Sequence, residues 1–382
     1  MSRLRSFPQE VPVSISPSAA RRFAAGIAML LPLALVACGS SGAATPSPAA
    51  ATPTATTTAT SGSPAVPSVA PSATPASTPA AAPVALTVGL GYIPSVQFAQ
   101  FYLAQNAGYY RDAGLTVTLQ NKIDPDLITL LGQGSVDIGS GDGTSVIPAV
   151  SQGIPVVYTS TIYGQFPSVL LAKAGVGIAT AADLRGKRIG IPGKYGSSWI
   201  MLQALLGAGG LTPADVTIVE FPDYGQAAAL QQGAVDAATG FANNEPIQLR
   251  NAGIDTVVLT VDSVVPLPGP GLVTGTATLA AKHDALVAFT AATLRAMDEI
   301  ATDPQKGLDA TFAIVPDLAT DAALQRQILD ATIATWKNAR TGAPYGSIDA
   351  QGWQASLDFM SKLGLVPNPV TVDALVSTAL LP

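Results

Sequence analysis

Short apolar runs rich in β-branched residues alternate with stretches of helical spacing along most of this chain. Runs at 86–90, 115–119, 136–139 and 155–159 predict strands, and 96–107, 126–132 and 144–152 predict helices. Within 96–107, Phe98, Phe101, Tyr102 and Gln105 fall at helical spacing. Near Lys173 the pattern starts again. Strands at 188–191, 216–221, 235–239 and 256–261 alternate with helices at 197–206, 226–232 and 245–251. Pro268 and Pro270 make the next stretch stiff and non-helical, and 271–280 is β-rich. After Lys282 the pattern predicts helices at 285–301, 322–336 and 350–363. Strand–helix alternation implies an α/β protein built from βαβ units around mainly parallel sheets. A series that restarts and is later rejoined implies two lobes. The expected division places 85–173 and 274–382 in lobe 1 and 174–273 in lobe 2. A ligand cleft is expected between them, at the carboxyl ends of the strands.

The N-terminal region changes this picture. Arg21 and Arg22 precede an apolar run at 23–35. The run is too short to cross a ~30 Å hydrocarbon layer and suits a signal peptide covering 1–37. Leu35-Val36-Ala37-Cys38 then resembles the lipobox of bacterial lipoproteins, which implies acylation of Cys38. The alternative is a free or buried thiol beside a membrane anchor. Residues 38–84 are almost entirely Ala, Thr, Pro, Ser and Gly, a composition expected of a disordered tether. Removal of 1–37 leaves 15 basic and 24 acidic side chains, a net charge of −9. That balance speaks against nucleic acid and polyanions as partners. Cys38 is the only cysteine and His283 the only histidine. An internal disulfide and a His or Cys metal cluster are therefore excluded, and the place of His283 at a helix start speaks against a Ser-His-Asp or Cys-His set. His283 itself reads as a solvated residue at a helix start. No catalytic residue, metal or cofactor is expected.

The segment Gly91-Tyr92-Ile93-Pro94-Ser95-Val96-Gln97-Phe98, with Phe101 to Gln105 and Gly108-Tyr109-Tyr110 after it, resembles the opening of solute-binding proteins for the thiamine pyrimidine precursor. Gly134 to Gly139, Asp183-Leu184-Arg185-Gly186-Lys187 and Gly233 to Ala238 follow in the same order. Asn243-Asn244-Glu245 looks like the family's Asn-x-Glu segment. The wider group includes binding proteins for alkanesulfonates, nitrate and riboflavin. The resemblance covers roughly 85–280. It implies a periplasmic-binding-protein type II fold, no enzymatic activity, and hand-over of a small molecule to the permease and ATPase subunits of an ABC importer. With the lipobox, it implies a lipid-anchored protein on the extracytoplasmic face of the cell membrane. Pyrimidine binders tend to carry Trp-Tyr-Pro-Asn where this chain has Tyr92-Ile93-Pro94-Ser95, and a His where Phe98 stands. Those exchanges suit a larger, flatter ring, and riboflavin is favoured. The pyrimidine precursor, an alkanesulfonate or nitrate, and a pyrimidine-synthesis enzyme are the alternatives.

Candidate ligand residues cluster where strands should end. Tyr92, Tyr163, Tyr195, Trp199 and Tyr224 stand there, as do Phe166, Phe221 and Phe241, and such rings sandwich flat heterocycles. The competing reading is core packing, which is favoured for Phe101, Tyr102 and Phe221. Ser95 and Phe98 are added by the resemblance. Gly196 and Ser197 lie in a strand-to-helix turn, where Ser197 or Ser198 serves equally well as an N-cap. Asp142 and Thr144 lie in a second such turn with the same two readings. Asn243, Asn244 and Glu245 offer amides and a carboxylate to a heterocycle edge, although Glu245 also suits a helix N-terminus. Gln165 and Asp124 are weaker candidates. Arg111, Lys122, Lys173, Lys187, Arg188 and Lys194 form no basic cluster, which ranks anionic ligands lower.

Overall fold

Strand β1 (Val84–Leu90) buries Leu86, Val88 and Leu90 and leaves Val84 exposed. This is the period-two pattern of a strand with one covered face. The computed structural model describes residues 82–121, 126–262, 264–338 and 340–382. Cys38, the expected signal peptide, the expected tether up to residue 81, Lys122 and Asp124 lie outside the described residues. β1 pairs in parallel with β2 (Leu115–Asn121) and with β3 (Ile138–Gly141). β4 (Val156–Thr161) is buried along nearly its whole length. The chain then builds a second sheet from β5 (Ser168–Lys173), β6 (Arg188–Ile191), β7 (Thr217–Glu220), β8 (Ala237–Phe241) and β9 (Thr256–Leu259). Its order is β7-β6-β8-β5-β9, with β5 antiparallel to both neighbours. Finally β10 (Gly271–Gly275) returns to the first sheet. It lies antiparallel between β3 and β4 and completes the order β2-β1-β3-β10-β4.

Strand pairing corrects the expected boundaries. Residues 168–173, placed in lobe 1 with no strand expected there, form β5 of the second sheet, and all of β10 belongs to the first. The lobes exchange the chain at 162–167 and 260–270. The apparent restart near Lys173 is the turn after β5, where Asp183 accepts hydrogen bonds from the Ala179 and Thr180 amides and the Thr180 hydroxyl.

The two crossovers bond to each other and to the C-terminal helices. Ile162 and Tyr163 amides both donate to the Pro270 carbonyl, at 3.2 and 2.8 Å. Gly164 and Gln165 amides donate to Trp336 and Thr335 at the end of helix Ala322–Trp336. The C-terminal part is helical as expected, with added helical turns at Pro304–Ile314, Pro316–Asp321 and Val372–Leu375. Asp303-Pro304 ends helix His283–Thr302 and starts helix Pro304–Ile314. Asp303 caps the new helix by accepting from the Gln305 amide at 3.1 Å, and Pro304 sits where an amide hydrogen has no partner to lose. These helices cover lobe 1. There Tyr110 stacks on Phe289 at 4.9 Å and its hydroxyl meets Thr293 Oγ1 at 2.9 Å. Among the described residues no helix is long and apolar enough to cross a membrane. No group of three His, Cys, Asp or Glu among them is placed to hold a metal ion.

Candidate functional site

The parallel strands of both sheets end at one cleft, whose cavity volume is about 130 Å³. Lobe 1 contributes Gly91, Tyr92, Gln97 and Phe98 after β1, Ser140 to Asp142 and Ser145 at the end of β3, Tyr163 after β4, and Pro270 before β10. Lobe 2 contributes Pro192 and Tyr195 to Ser198 after β6, Tyr224 and Gln226 after β7, and Gly240, Phe241, Asn244 and Glu245 at the end of β8. Gly91 is required by a close approach: a Cβ there would stand 2.8 Å from the Ser140 carbonyl oxygen.

Aromatic rings make much of the wall. Tyr92 and Tyr224 face each other across the lobes, edge to face, with centroids 4.8 Å apart. Tyr224 is held at φ 61°, alone among the described non-glycine residues in adopting positive φ. Such a conformation costs about 1–3 kcal/mol and persists only where the surroundings fix it. Burial, then Glu245 and Tyr224, push the Tyr92 phenol up, so it stays a proton donor, with the Asn244 amide beside it. Tyr195 lays its ring over Gly193, whose missing Cβ leaves the space.

The two carboxyl groups on the wall are spoken for by the backbone. Asp142 is the N-cap of helix Gly143–Ser151 and accepts from the Thr144 amide at 2.9 Å and the Ser145 amide at 3.3 Å. Burial pushes its carboxyl up while these bonds pull it back. Glu245 opens helix Glu245–Asn251 and accepts from the Phe241 amide at 2.7 Å; burial pushes it up too. Asn244 donates to Glu245 Oε1 and accepts from Gln248 Nε2 at 2.7 Å. No Lys or Arg is among the described residues lining the cleft. A wall of rings with two buried acids favours a flat, uncharged ligand over an anion.

Of the residues singled out from sequence, the structure brings Tyr92, Phe98, Asp142, Tyr163, Tyr195, Gly196, Ser197, Ser198, Tyr224, Phe241, Asn244 and Glu245 to this cleft. Ser95, Thr144, Gln165, Trp199 and Asn243 do not line it, nor do Phe166 and Phe221. Ser95 turns inward and accepts from the Gln97 amide at 3.2 Å. Thr144 is buried against Asp142, to which its hydroxyl donates. Trp199 packs against the core around helix Gly196–Ala208. Gln165 lines a separate cavity beneath the crossovers and donates to the Ala334 carbonyl at 3.4 Å. Asn243 is buried and bridges the lobes, its Nδ2 donating to Gln97 Oε1 at 2.9 Å and Thr332 Oγ1 at 2.8 Å. Ser197 and Ser198 do not cap their helix, because Tyr195 occupies the N-cap position. Gln97, Ser145 and Gln226 were missed. Each lies in the first residues after a strand end, the one signal that pointed to them.

A family model described as NMT1/THI5 like matches residues 95–307. The riboflavin-binding protein RibY of Chloroflexus aurantiacus is 35% identical over 302 residues, covering 78% of this chain and 86% of that protein. The 4-amino-5-hydroxymethyl-2-methylpyrimidine phosphate synthase of Schizosaccharomyces pombe is 31% identical over 150 residues, only 39% of this chain and 42% of the enzyme. Among solved structures, the periplasmic aliphatic sulphonate binding protein SsuA of Escherichia coli superposes with a TM-score of 0.60 at 19% identity, covering 77% of this chain and 97% of that one. This likeness concerns the fold, and the observed fold class is the expected two-lobed α/β architecture of periplasmic binding proteins.

Proposed function

The chain belongs to the NMT1/THI5-like family, and from that premise we propose that it is an extracytoplasmic solute-binding protein that captures riboflavin for an ABC-type importer. The observation that carries this reading is the ring-lined cleft between the lobes, with Tyr92 and Tyr224 opposed across it and both wall carboxyls pushed towards their neutral forms. An isoalloxazine has the flat, uncharged face such a wall accommodates by stacking. The similarity to a named riboflavin-binding protein over most of both chains supports the same ligand. Lobe closure by bending at 162–167 and 260–270 is the expected response, presenting a closed shape to the permease.

The synthase relatives raise an enzyme reading, but the only histidine, His283, opens a helix outside the cleft and pairs with Asp284 at 3.0 Å. Capture of an aminopyrimidine instead of a flavin is the closer rival, since the same rings stack on either. Titration of the purified protein into riboflavin decides between them. Flavin fluorescence is expected to be quenched with a Kd of about 1 μM or tighter. Unchanged flavin emission at ten times that concentration, with an aminopyrimidine bound instead, rejects riboflavin.

Anchoring through Cys38 belongs to the same proposal. Metabolic labelling with a fatty acid is expected to mark the wild-type chain and to leave Cys38→Ser unmarked. Equal labelling of both rules the anchor out.

A further inference from the structure

Gln226 is the first residue of helix Gln226–Gln232 and is 2% exposed on the lobe 2 wall of the cleft. Its position is fixed from three sides. Its backbone follows the strained Tyr224 and Gly225. Its Cβ presses on β6, where a Cβ at Gly190 would stand 3.1 Å from it. Its amide nitrogen donates to the Thr239 carbonyl at 3.2 Å. Turning the amide over would set two carbonyl oxygens against each other, so the nitrogen must face Thr239 and the oxygen must be the other end. That oxygen is buried and accepts no hydrogen bond. By contrast, Glu245 Oε2 is occupied by the Phe241 amide, Glu245 Oε1 by Asn244, and Asp142 Oδ1 by Thr144 and Ser145. Gln226 therefore lines the cleft and carries a fixed, buried acceptor without a donor, which is unfavourable until one arrives.

We propose that Gln226 Oε1 selects the ligand by accepting a hydrogen bond from an N–H, of the ring or of an exocyclic amine, lying in the plane of the stacked heterocycle. This rests on the proposed function and narrows it. The ligand must present an imide- or amine-type donor at its edge, and a flavin presents its imide N–H. A tertiary or alkylated ring nitrogen would leave the acceptor buried and unpaired, and such analogues are rejected more strongly than those differing only in apolar bulk.

The test compares riboflavin, N3-methylriboflavin and 4-amino-5-hydroxymethyl-2-methylpyrimidine on the full-length protein and on Gln226→Met. The variant keeps the side-chain length and loses the acceptor. The wild type is expected to prefer riboflavin over its N3-methyl form by roughly 10- to 100-fold. In Gln226→Met the preference is expected to shrink to within about threefold. Loss of the Thr239 contact affects both flavins alike and cancels in the ratio, so a merely structural role leaves the ratio unmoved. If Gln226→Met does not fold, the wild-type ratio still decides, because equal binding of the two flavins overturns the proposal. An unchanged ratio in the variant overturns it as well, while riboflavin capture stands. If the wild type ignores riboflavin and binds the aminopyrimidine in a Gln226-dependent way, the flavin reading falls and the acceptor assignment holds. If the wild type binds neither compound, both fall.

Discussion

Gly271→Val is expected to destabilise the protein by about 3 kcal/mol or more, read as a lowered urea midpoint with an unchanged slope. Gly271 opens β10, which is hydrogen-bonded on both sides. A Cβ there would overlap the Ser160 carbonyl oxygen and the Tyr158 ring. Neither can yield. Ser160 belongs to β4, and Tyr158 is wedged edge-on against Trp353 at 4.8 Å while its hydroxyl donates to the Gly269 carbonyl at 3.1 Å. Gly269 and Gly164 are in the same position, with backbone where a Cβ would go. Gly207 is the contrast. It lies inside helix Gly196–Ala208 with open space around it, and Gly207→Ala should stabilise by about 0.5–1 kcal/mol. A Gly271→Val protein that unfolds with the wild type would refute this account of the crossovers.

With riboflavin as the proposed ligand, Asn243→Leu is expected to weaken binding by roughly 10- to 100-fold, mainly through faster release. The amide of Asn243 passes from lobe 2 into lobe 1, where it meets Gln97 on the cleft wall and Thr332 on helix Ala322–Trp336. Leucine strands Gln97 Oε1 in a buried site, whereas Thr332 keeps its bond to the Ile328 carbonyl at 2.8 Å. Asn251 makes a second contact between the lobes, to Gln327 at 3.1 Å, but on the exposed rim. Asn251→Ala should therefore change release by less than about threefold. Stopped-flow displacement of bound riboflavin measures both. Equal release rates for Asn243→Leu and wild type would mean that the buried amide does not hold the lobes together.

Much of this was legible in the chain. Strand–helix alternation disclosed the α/β class, and rings placed just after strands disclosed most of the cleft, because parallel strands deliver their carboxyl ends to one edge. What failed did so for physical reasons. β5 was not expected as a strand and its residues were assigned to lobe 1, since an apolar run carries no label for the sheet it joins. Thr144 and Asn243 sit beside true wall residues, yet each points the other way. Thr144 turns to its helix cap and Asn243 turns to the opposite lobe, choices made by neighbours distant in sequence. Gln226 looked like any first helical residue, because its distinction is an unmet bond and not a residue type.

The nesting of one lobe inside the other bears on biogenesis. Lobe 2 is a single uninterrupted stretch and is able to assemble as it is made. The first sheet, by contrast, has a gap between β3 and β4 until Gly271 and the residues after it have been synthesised. For that interval two strand edges stay open, and the cost of closing so long a connection delays their pairing. The larger half therefore cannot lock until the crossover strand has been made.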